Sequence, residues 1–278
     1  MRFNSNTNRA ARLIAAVLTA VVFLNVGCVF GAFQDSTYRY KEEFAKTYPL
    51  AADGIFSLEN TNGIVRVTTW SKPEVEITAV KSASRESDLE RLEIKISADP
   101  RAVTVDTIYP RRPFLRAKVT YDVHVPEGVR LDRVRTTNGN IELTGRYSDV
   151  RAGTTNGDVR CDSVVGALDL STTNGTIKVQ DVLGRVKADT TNGGITLNIR
   201  DIKESIDAST TNGSITLRVQ GDLNADLNAR TTNGRVNTDF PITIQGNIGS
   251  RRRVEGRIGN GGPEIILHTT NGSIHIIK

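Results

Sequence analysis

The sequence Thr-Thr-Asn-Gly occurs seven times in this chain and constrains its fold more than any other feature. A weaker copy, Asn60-Thr61-Asn62-Gly63, precedes the seven. The first four full copies are 18 residues apart, and the later spacings are 20, 21 and 38 residues. A recurring period of this size is typical of stacked structural units. The sequence therefore predicts a repeat protein.

Alternating apolar and polar residues flank each Asn-Gly. Before Asn192, Ala188 and Thr190 alternate with polar residues, and after it Ile195 and Leu197 do the same at odd positions. This pattern predicts a half-buried strand on each side of the dipeptide. Between the strands we expect a bend, which glycine permits because it tolerates positive φ. The predicted structural turns are Asn138-Gly139, Asn156-Gly157, Asn174-Gly175, Asn192-Gly193, Asn212-Gly213, Asn233-Gly234 and Asn271-Gly272.

Two all-β architectures fit this pattern. Asn-Gly between alternating strands is a strong hairpin signal, so one is a series of antiparallel hairpin repeats. The other is a parallel β-solenoid, or β-helix, in which each copy forms one coil of about 18 residues. The paired threonines favour the solenoid, because stacked asparagines can form amide ladders and stacked threonines suit a pleated surface. The first threonine of each pair would then face inward and need a hydrogen-bond partner.

The chain divides into four predicted regions. Residues 1–27 are a signal peptide and residues 28–50 a linker. Residues 51–130 form an N-terminal β cap, whose core includes Trp70. Residues 131–278 form the Thr-Thr-Asn-Gly solenoid, interrupted by a Gly-rich, charged loop insertion at 239–263. Cap strands are predicted at 54–59, 63–70, 74–81, 101–109 and 116–125, with a short helix within 84–93.

The N-terminal segment has the order of an export signal. Residues 1–12 carry three arginines and no acid, and Leu13–Val26 is almost wholly apolar but short for a membrane-spanning helix. Leu24–Cys28 is similar to the lipobox of bacterial lipoproteins, with a departure at Asn25, so Cys28 is the candidate lipidation site. The chain is thus predicted to be exported to the cell envelope, periplasmic or on the outer surface, and to contact a membrane only through an N-terminal lipid anchor. Simple secretion is the alternative.

The charge balance argues against nucleic acid as a partner. Part of the formal charge of +5 comes from the three arginines of the predicted signal. Without them the chain is nearly neutral and lacks the basic surplus of a nucleic-acid-binding protein. Of the two cysteines, Cys161 falls on the apolar side of a repeat, so we interpret it as a small buried hydrophobe.

No arrangement of residues predicts catalysis, a metal site or a cofactor. The histidines His124, His268 and His275 are scattered, with no cysteine or carboxylate at ligand spacing. Acids such as Asp189 and Asp207 fall at unmatched positions of the repeat. The sequence contains no nucleophile elbow, phosphate-binding loop or dinucleotide fingerprint. We therefore expect no enzyme and no cofactor.

Several blocks of the sequence together resemble a known family. They are Gly54 to Trp70 with its Asn62-Gly63 copy, the segment from Val123 to Gly128, the serial Thr-Thr-Asn-Gly units, and Gly259 to Pro263 followed by Asn271 to Ile274. Over roughly residues 50–278 their order resembles DUF4097, a bacterial family of exported or envelope proteins described as candidate adhesins of unknown molecular function. The resemblance implies a solenoid and transfers no binding residues.

These observations favour a non-enzymatic interaction or structural module, an adhesin, of the cell envelope or secreted. Its partner would be an unidentified envelope or surface component. The alternatives are a carbohydrate-active β-helix enzyme and a partner protein in envelope signalling. The last strand, Ser273–Ile277, should leave an open edge that favours self-association. Specific recognition is expected where the repeat breaks, at the cap and at 239–263.

Overall fold

The computed structural model describes residues 38–111, 114–243 and 251–278. The predicted signal peptide and Cys28 lie outside these ranges. The one helix among the described residues, α1 (Glu86–Leu89), has four residues, and no helix there is long and apolar enough to cross a membrane. Nearly all the remaining regular structure is β-strand, so the predicted all-β class is confirmed.

Within residues 38–111 and 114–126, seven strands precede the first full repeat. They are β1 (Tyr40–Pro49), β2 (Ile55–Glu59), β3 (Val65–Trp70), β4 (Glu74–Ala83), β5 (Glu93–Asp99), β6 (Ala102–Ile108) and β7 (Ala117–Pro126). The five strands predicted in this region correspond to β2, β3, β4, β6 and β7, and β1 and β5 are additional.

The linker predicted at 28–50 is wrong for residues 40–49, because β1 pairs along its whole length with β4. Only Tyr40, Phe44 and Tyr48 of β1 pack against the core. Their spacing of four residues lacks the period of two by which a strand is recognised.

Each full repeat contributes two strands, one on either side of its Asn-Gly. The pairs are β8 (Arg130–Asn138) and β9 (Ile141–Tyr147), β10 (Val150–Asn156) and β11 (Val159–Val164), β12 (Leu168–Asn174) and β13 (Ile177–Val182), β14 (Val186–Asn192) and β15 (Ile195–Ile199), β16 (Ile206–Asn212) and β17 (Ile215–Val219), and β18 (Ala225–Asn233) and β19 (Val236–Thr238). The short strands β20 (Ile242–Thr243) and β21 (Arg253–Ile258) follow, and the last repeat forms β22 (Glu264–Asn271) and β23 (Ile274–Ile277).

The two strands of a repeat enter different sheets. We call the sheet of strands before Asn-Gly the leading sheet and the sheet of strands after it the trailing sheet. Neighbouring repeats pair in parallel within both, with Thr190, for example, beside Thr172 and Thr210. A hairpin would pair β14 with β15 instead. The parallel β-solenoid is therefore confirmed, and the antiparallel alternative is wrong.

The core lies between the two sheets, where the inward residues of every coil meet. Ala188, Ile195 and Leu197 are 0–1% exposed. Burial of apolar surface contributes about 25 cal/mol per Å². Since one coil has little interior of its own, most of that burial comes from stacking on its neighbours.

The weaker copy forms the first coil of the stack. Its strands β2 and β3 pair in parallel with β8 and β9. Beyond it, β6 and β7 continue both sheets in parallel for one more layer. β5 and β4 then pair antiparallel with β6 and β7, and β1 is the outermost strand of the trailing sheet. Reversed strands thus end the parallel series.

The last repeat in sequence is not the last coil in space. β22 lies between β16 and β18, and β23 lies between β17 and β19. The open edge predicted at Ser273–Ile277 is therefore wrong, and the self-association predicted there loses the edge on which it was based. The interval of 38 residues between the final two copies allows this. The chain forms β18 and β19 first, and it is then long enough to return and insert β22 and β23 between them and the coil of β16 and β17.

The insertion predicted as a loop at 239–263 is partly strand. β21 pairs antiparallel with β18, and β20 pairs antiparallel with β21, so the insertion extends the leading sheet beyond the final coil. Residues 244–250 lie outside the described ranges.

Candidate functional site

A ladder of asparagine side chains follows the corner of the stack. The Nδ2 of each asparagine donates to the Oδ1 of the asparagine in the coil before it, at 2.7–2.8 Å, from Asn138 onto Asn62 through to Asn233 onto Asn271. The amide ladder expected for a solenoid is thus present. Because an amide has two N–H donors, each asparagine keeps one for solvent or a ligand.

The inward threonine of each repeat has a defined partner. Its Oγ1 donates to the corner glycine carbonyl of the coil before it, as Thr190 does to Gly175 at 3.0 Å and Thr210 to Gly193 at 2.9 Å. The inward threonines of the seven full copies are at most 8% exposed. Buried hydroxyl and carbonyl groups require such partners, so this threonine completes the corner.

The corner glycines are needed for close packing rather than for the backbone angle. Among the seven, all within the described ranges, only Gly157 has a positive φ. A Cβ added to any of them would instead overlap the glycine carbonyl oxygen of the adjacent coil. Our interpretation that the bend exploits positive φ is therefore wrong for six of the seven.

The first coil departs from the repeat at its inward corner position. Asn60 replaces the threonine there and is 8% exposed. Its Nδ2 donates to the Val119 carbonyl at 2.8 Å, and its Oδ1 accepts from the Tyr109 hydroxyl at 2.9 Å. Burial raises the pKa of Tyr109 to about 12, so the phenol remains a proton donor. The cap thus supplies partners that a neighbouring coil supplies elsewhere.

Carboxylates lie close together on the outward face of the leading sheet. We call a row of equivalent positions that runs from coil to coil a file. In one file Lys187 lies between Asp169 and Asp207, and in the adjacent file Asp189 lies between two serines. As predicted, no acid of this group stands directly beside another. Burial nevertheless raises the pKa of Asp189, and Asp207 and Asp169 add to the rise, while Lys187 at 3.8 Å opposes it.

The file of Asp189 continues with Ser209 and His268, the residue types of a hydrolytic triad. A triad needs the histidine between the nucleophile and the carboxylate. Here Ser209 stands between the other two, so Asp189 cannot orient the imidazole. The Nδ1 of His268 is buried and has no hydrogen-bond partner among the described residues. The order of the three residues therefore does not support triad chemistry.

Trp70 lies at the surface of the cap instead of in its core. It is half-buried, and its ring stacks on the imidazole of His124 with 5.2 Å between the ring centroids. The Nζ of Lys72 lies 4.3 Å from the indole centroid. The prediction of a core role is wrong because Trp70 shares the outward parity of Thr68, whereas Val67 faces the core.

The remaining candidate residues show no metal or thiol chemistry. No group of three or more histidine, cysteine or acidic side chains is arranged to hold a metal within the described part of the chain. Cys161 is free and fully buried in the trailing sheet, and burial raises the pKa of its thiol. Its side chain therefore packs as a small hydrophobe.

The repeat region of the chain matches a known protein family. Residues 122–277, more than half of the chain, match the family model described as Toastrack DUF4097. The chain belongs to this family. The matched part of the Toastrack chain contains all seven full repeats, the insertion and the second half of β7. No curated protein matches the chain.

Solved structures with a similar chain trace include two from Parabacteroides and one from Clostridium. A candidate cell adhesion protein of Clostridium sporogenes ATCC 15579 is 13% identical, with 86% of this chain and 99% of that chain covered and a TM-score of 0.39. A candidate adhesin of Parabacteroides merdae ATCC 43184 is 13% identical, with 85% and 97% covered and a TM-score of 0.42. A candidate lipid binding protein of Parabacteroides distasonis ATCC 8503 is 11% identical, with 85% and 97% covered and a TM-score of 0.35.

Proposed function

We propose that this Toastrack chain is a non-enzymatic interaction module of the bacterial cell envelope, facing the periplasm or the outer surface, with adhesion as its role. The observation that carries this proposal is the use of the repeated polar groups. The threonine hydroxyls bind glycine carbonyls and the asparagine amides bind one another. These groups hold coils together, and a file that is the same in every coil distinguishes no single reaction centre.

Binding to envelope material tests the proposal. The full-length protein, purified in folded form and labelled, is mixed with envelope fragments and sedimented. We expect saturable binding that unlabelled protein displaces. A heat-unfolded sample of the same chain is the control for adsorption. Sedimentation no greater than that of the control would contradict the proposal.

We propose further that Cys28 carries a lipid anchor, which the similarity of Leu24–Cys28 to a lipobox supports. Cells that produce the full chain are labelled with palmitate, and the protein is then isolated. We expect label in the natural chain and none in Cys28→Ser. Label that persists in the variant would exclude acylation of this cysteine.

The carbohydrate-active alternative has one supporting observation: burial raises the pKa of Asp189, and the charges of Asp207 and Asp169 add to the rise. Carboxyl groups with a raised pKa serve as general acids in glycoside hydrolysis. Purified envelope glycans are incubated with the natural chain and with Asp189→Asn, and new reducing ends are measured. We expect none with either protein. Hydrolysis by the natural chain that disappears in Asp189→Asn would overturn the non-enzymatic proposal.

A further inference from the structure

Arginines from two separate segments meet at the corner of the final coil. Arg230 and Arg235 flank Asn233-Gly234, and Arg251 to Arg253 cross from one limb of this corner to the other. The carbonyl of Arg252 accepts from Thr231 N–H and the carbonyl of Arg251 accepts from Val236 N–H, both at 2.8 Å. Arg230 also lies opposite Arg253 in the β18–β21 pair. Backbone hydrogen bonds thus bring the backbones of five exposed arginines together at one place, the arginine corner.

The arginine corner carries a local surplus of positive charge. Its five arginines are exposed, and the segments 228–237 and 251–254 contain no acidic residue. Glu255 binds Arg253, with the Arg253 Nη2 and Glu255 Oε1 2.6 Å apart. Without its predicted signal the chain is nearly neutral, so the surplus of positive charge is local to this corner.

We propose that the arginine corner binds the phosphate groups of an extended polyanion, such as a phosphate-bearing envelope polymer. This inference rests on the proposed function and names the chemistry of its partner. Guanidinium groups match phosphate oxygens through paired N–H donors, and they keep their charge at any physiological pH. Arg230, Arg235 and Arg251, exposed at one corner, can engage several phosphates at once, which favours a polymer over a single phosphate ion.

Long-chain inorganic polyphosphate is the probe for this site. Its binding to the full-length natural chain is measured by fluorescence anisotropy and compared with Arg230→Gln/Arg235→Gln/Arg251→Gln. We expect affinity to fall at least about tenfold, with a shallower dependence on salt, because three phosphate contacts are lost. The matched control, Arg151→Gln/Arg160→Gln/Arg218→Gln, removes the same charge from outward positions of other coils and should change affinity less than about twofold. Equal thermal unfolding temperatures of the variants exclude loss of fold.

The outcomes separate the possible sources of binding. Equal weakening by both triple variants would show attraction to net charge and overturn the proposal. Binding to phosphatidylglycerol vesicles without binding to polyphosphate would assign the corner to a lipid surface and also overturn it. Equal affinity for orthophosphate and polyphosphate would contradict the proposed preference for an extended polymer. If polyphosphate binding fails while envelope fragments still bind, this inference fails and the proposed function stands. Hydrolysis of envelope glycan would overturn the function and leave the polyphosphate result intact.

Discussion

The two threonines of each repeat have the same chemistry and opposite environments. Thr190 is buried and its hydroxyl donates to the Gly175 carbonyl, whereas Thr191 faces solvent. Side-chain parity alone separates them, since adjacent residues of a strand point to opposite faces.

Replacement of the inward hydroxyl by a methyl group should therefore destabilise the fold. In Thr190→Val the shape is kept, but the Gly175 carbonyl loses its donor, which costs about 1–3 kcal/mol. The control Thr191→Val should change the free energy of unfolding by no more than about 0.5 kcal/mol. Urea unfolding followed by circular dichroism measures both. Equal effects of the two variants would contradict the structural role of the buried hydroxyl.

A methyl group on a corner glycine should cost more. In Gly175→Ala the new Cβ would overlap the Gly157 carbonyl oxygen, and the rigid ladder leaves little room for relaxation, so we expect a loss of at least about 3 kcal/mol. In the control Gly194→Ala the nearest atom is the Ser214 carbonyl oxygen at 3.2 Å, a contact that a small shift relieves. Thermal unfolding of the two variants tests the comparison. A Gly175→Ala protein as stable as Gly194→Ala would contradict close packing at the corner.

Asp189 makes stability depend on pH in a defined direction. Because its pKa is raised in the folded protein, the folded state binds the proton more tightly than the unfolded state does. The stabilisation is full below the unfolded pKa and is lost as pH rises through the folded pKa. Asp189→Asn should thus be more stable than the natural chain near neutral pH, by less than about 1 kcal/mol for this partly exposed group. The difference should vanish in acid. Urea unfolding across pH measures it, and a destabilised variant at neutral pH would contradict the prediction.

At the scale of elements, the final repeat shows that chain order and spatial order differ. The last strand, β23, has neighbours on both sides, while β19 of the preceding repeat is the edge of the trailing sheet. An edge strand lacks half of its ladder hydrogen bonds.

Hydrogen exchange should reveal this inversion. Peptides covering Ile274–Ile277 should be protected as strongly as those covering Ile215–Val219, and peptides covering Val236–Thr238 should exchange faster. Mass spectrometry of the native protein in deuterated buffer provides the measurement. Faster exchange at Ile274–Ile277 than at Val236–Thr238 would show that the last repeat lies outside the stack.

At the scale of the whole Ser36–Lys278 unit, the ends of the stack limit association. The outermost strands β19 and β20 have three and two residues, and the outermost strand β1 carries four charged side chains, those of Lys41, Glu42, Glu43 and Lys46. Short and charged edges are devices that prevent sheet-to-sheet pairing. The open edge expected from the sequence is therefore replaced by guarded ones.

Removal of the last repeat should abolish this protection. The natural chain should sediment as one monomeric species, whereas a chain that ends at Pro263 exposes the edges of β16 and β17 and should self-associate. Sedimentation velocity over a range of concentrations compares the two. A natural chain that forms larger species, or a shortened chain that stays monomeric, would contradict this account.

The repeat itself was accessible from the sequence because each coil packs mainly on an equivalent coil. The period, the alternation and the paired threonines all follow from contacts between like residues, such as Thr172 with Thr190, so the solenoid and its amide ladder could be predicted. The segments outside the regular repeat do not pack on an equivalent segment, so their contacts could not be predicted in this way. Three features depend on neighbours that have no counterpart elsewhere in the described residues. They are the hydrogen bond of Tyr109 to Asn60, the surface position of Trp70 and the whole of β1.

By itself, the sequence determined the repeating unit, the bend at its Asn-Gly and the division into inward and outward files, since a period of two and a recurring Asn-Gly carry that information locally. Only the tertiary structure decided the order of the last two coils, the strand that covers each edge and the meeting of Arg230 and Arg235 with Arg251 to Arg253. These features arise from contacts between distant segments, and hydrophobic pattern records which side of a strand is buried but not which strand lies beside it.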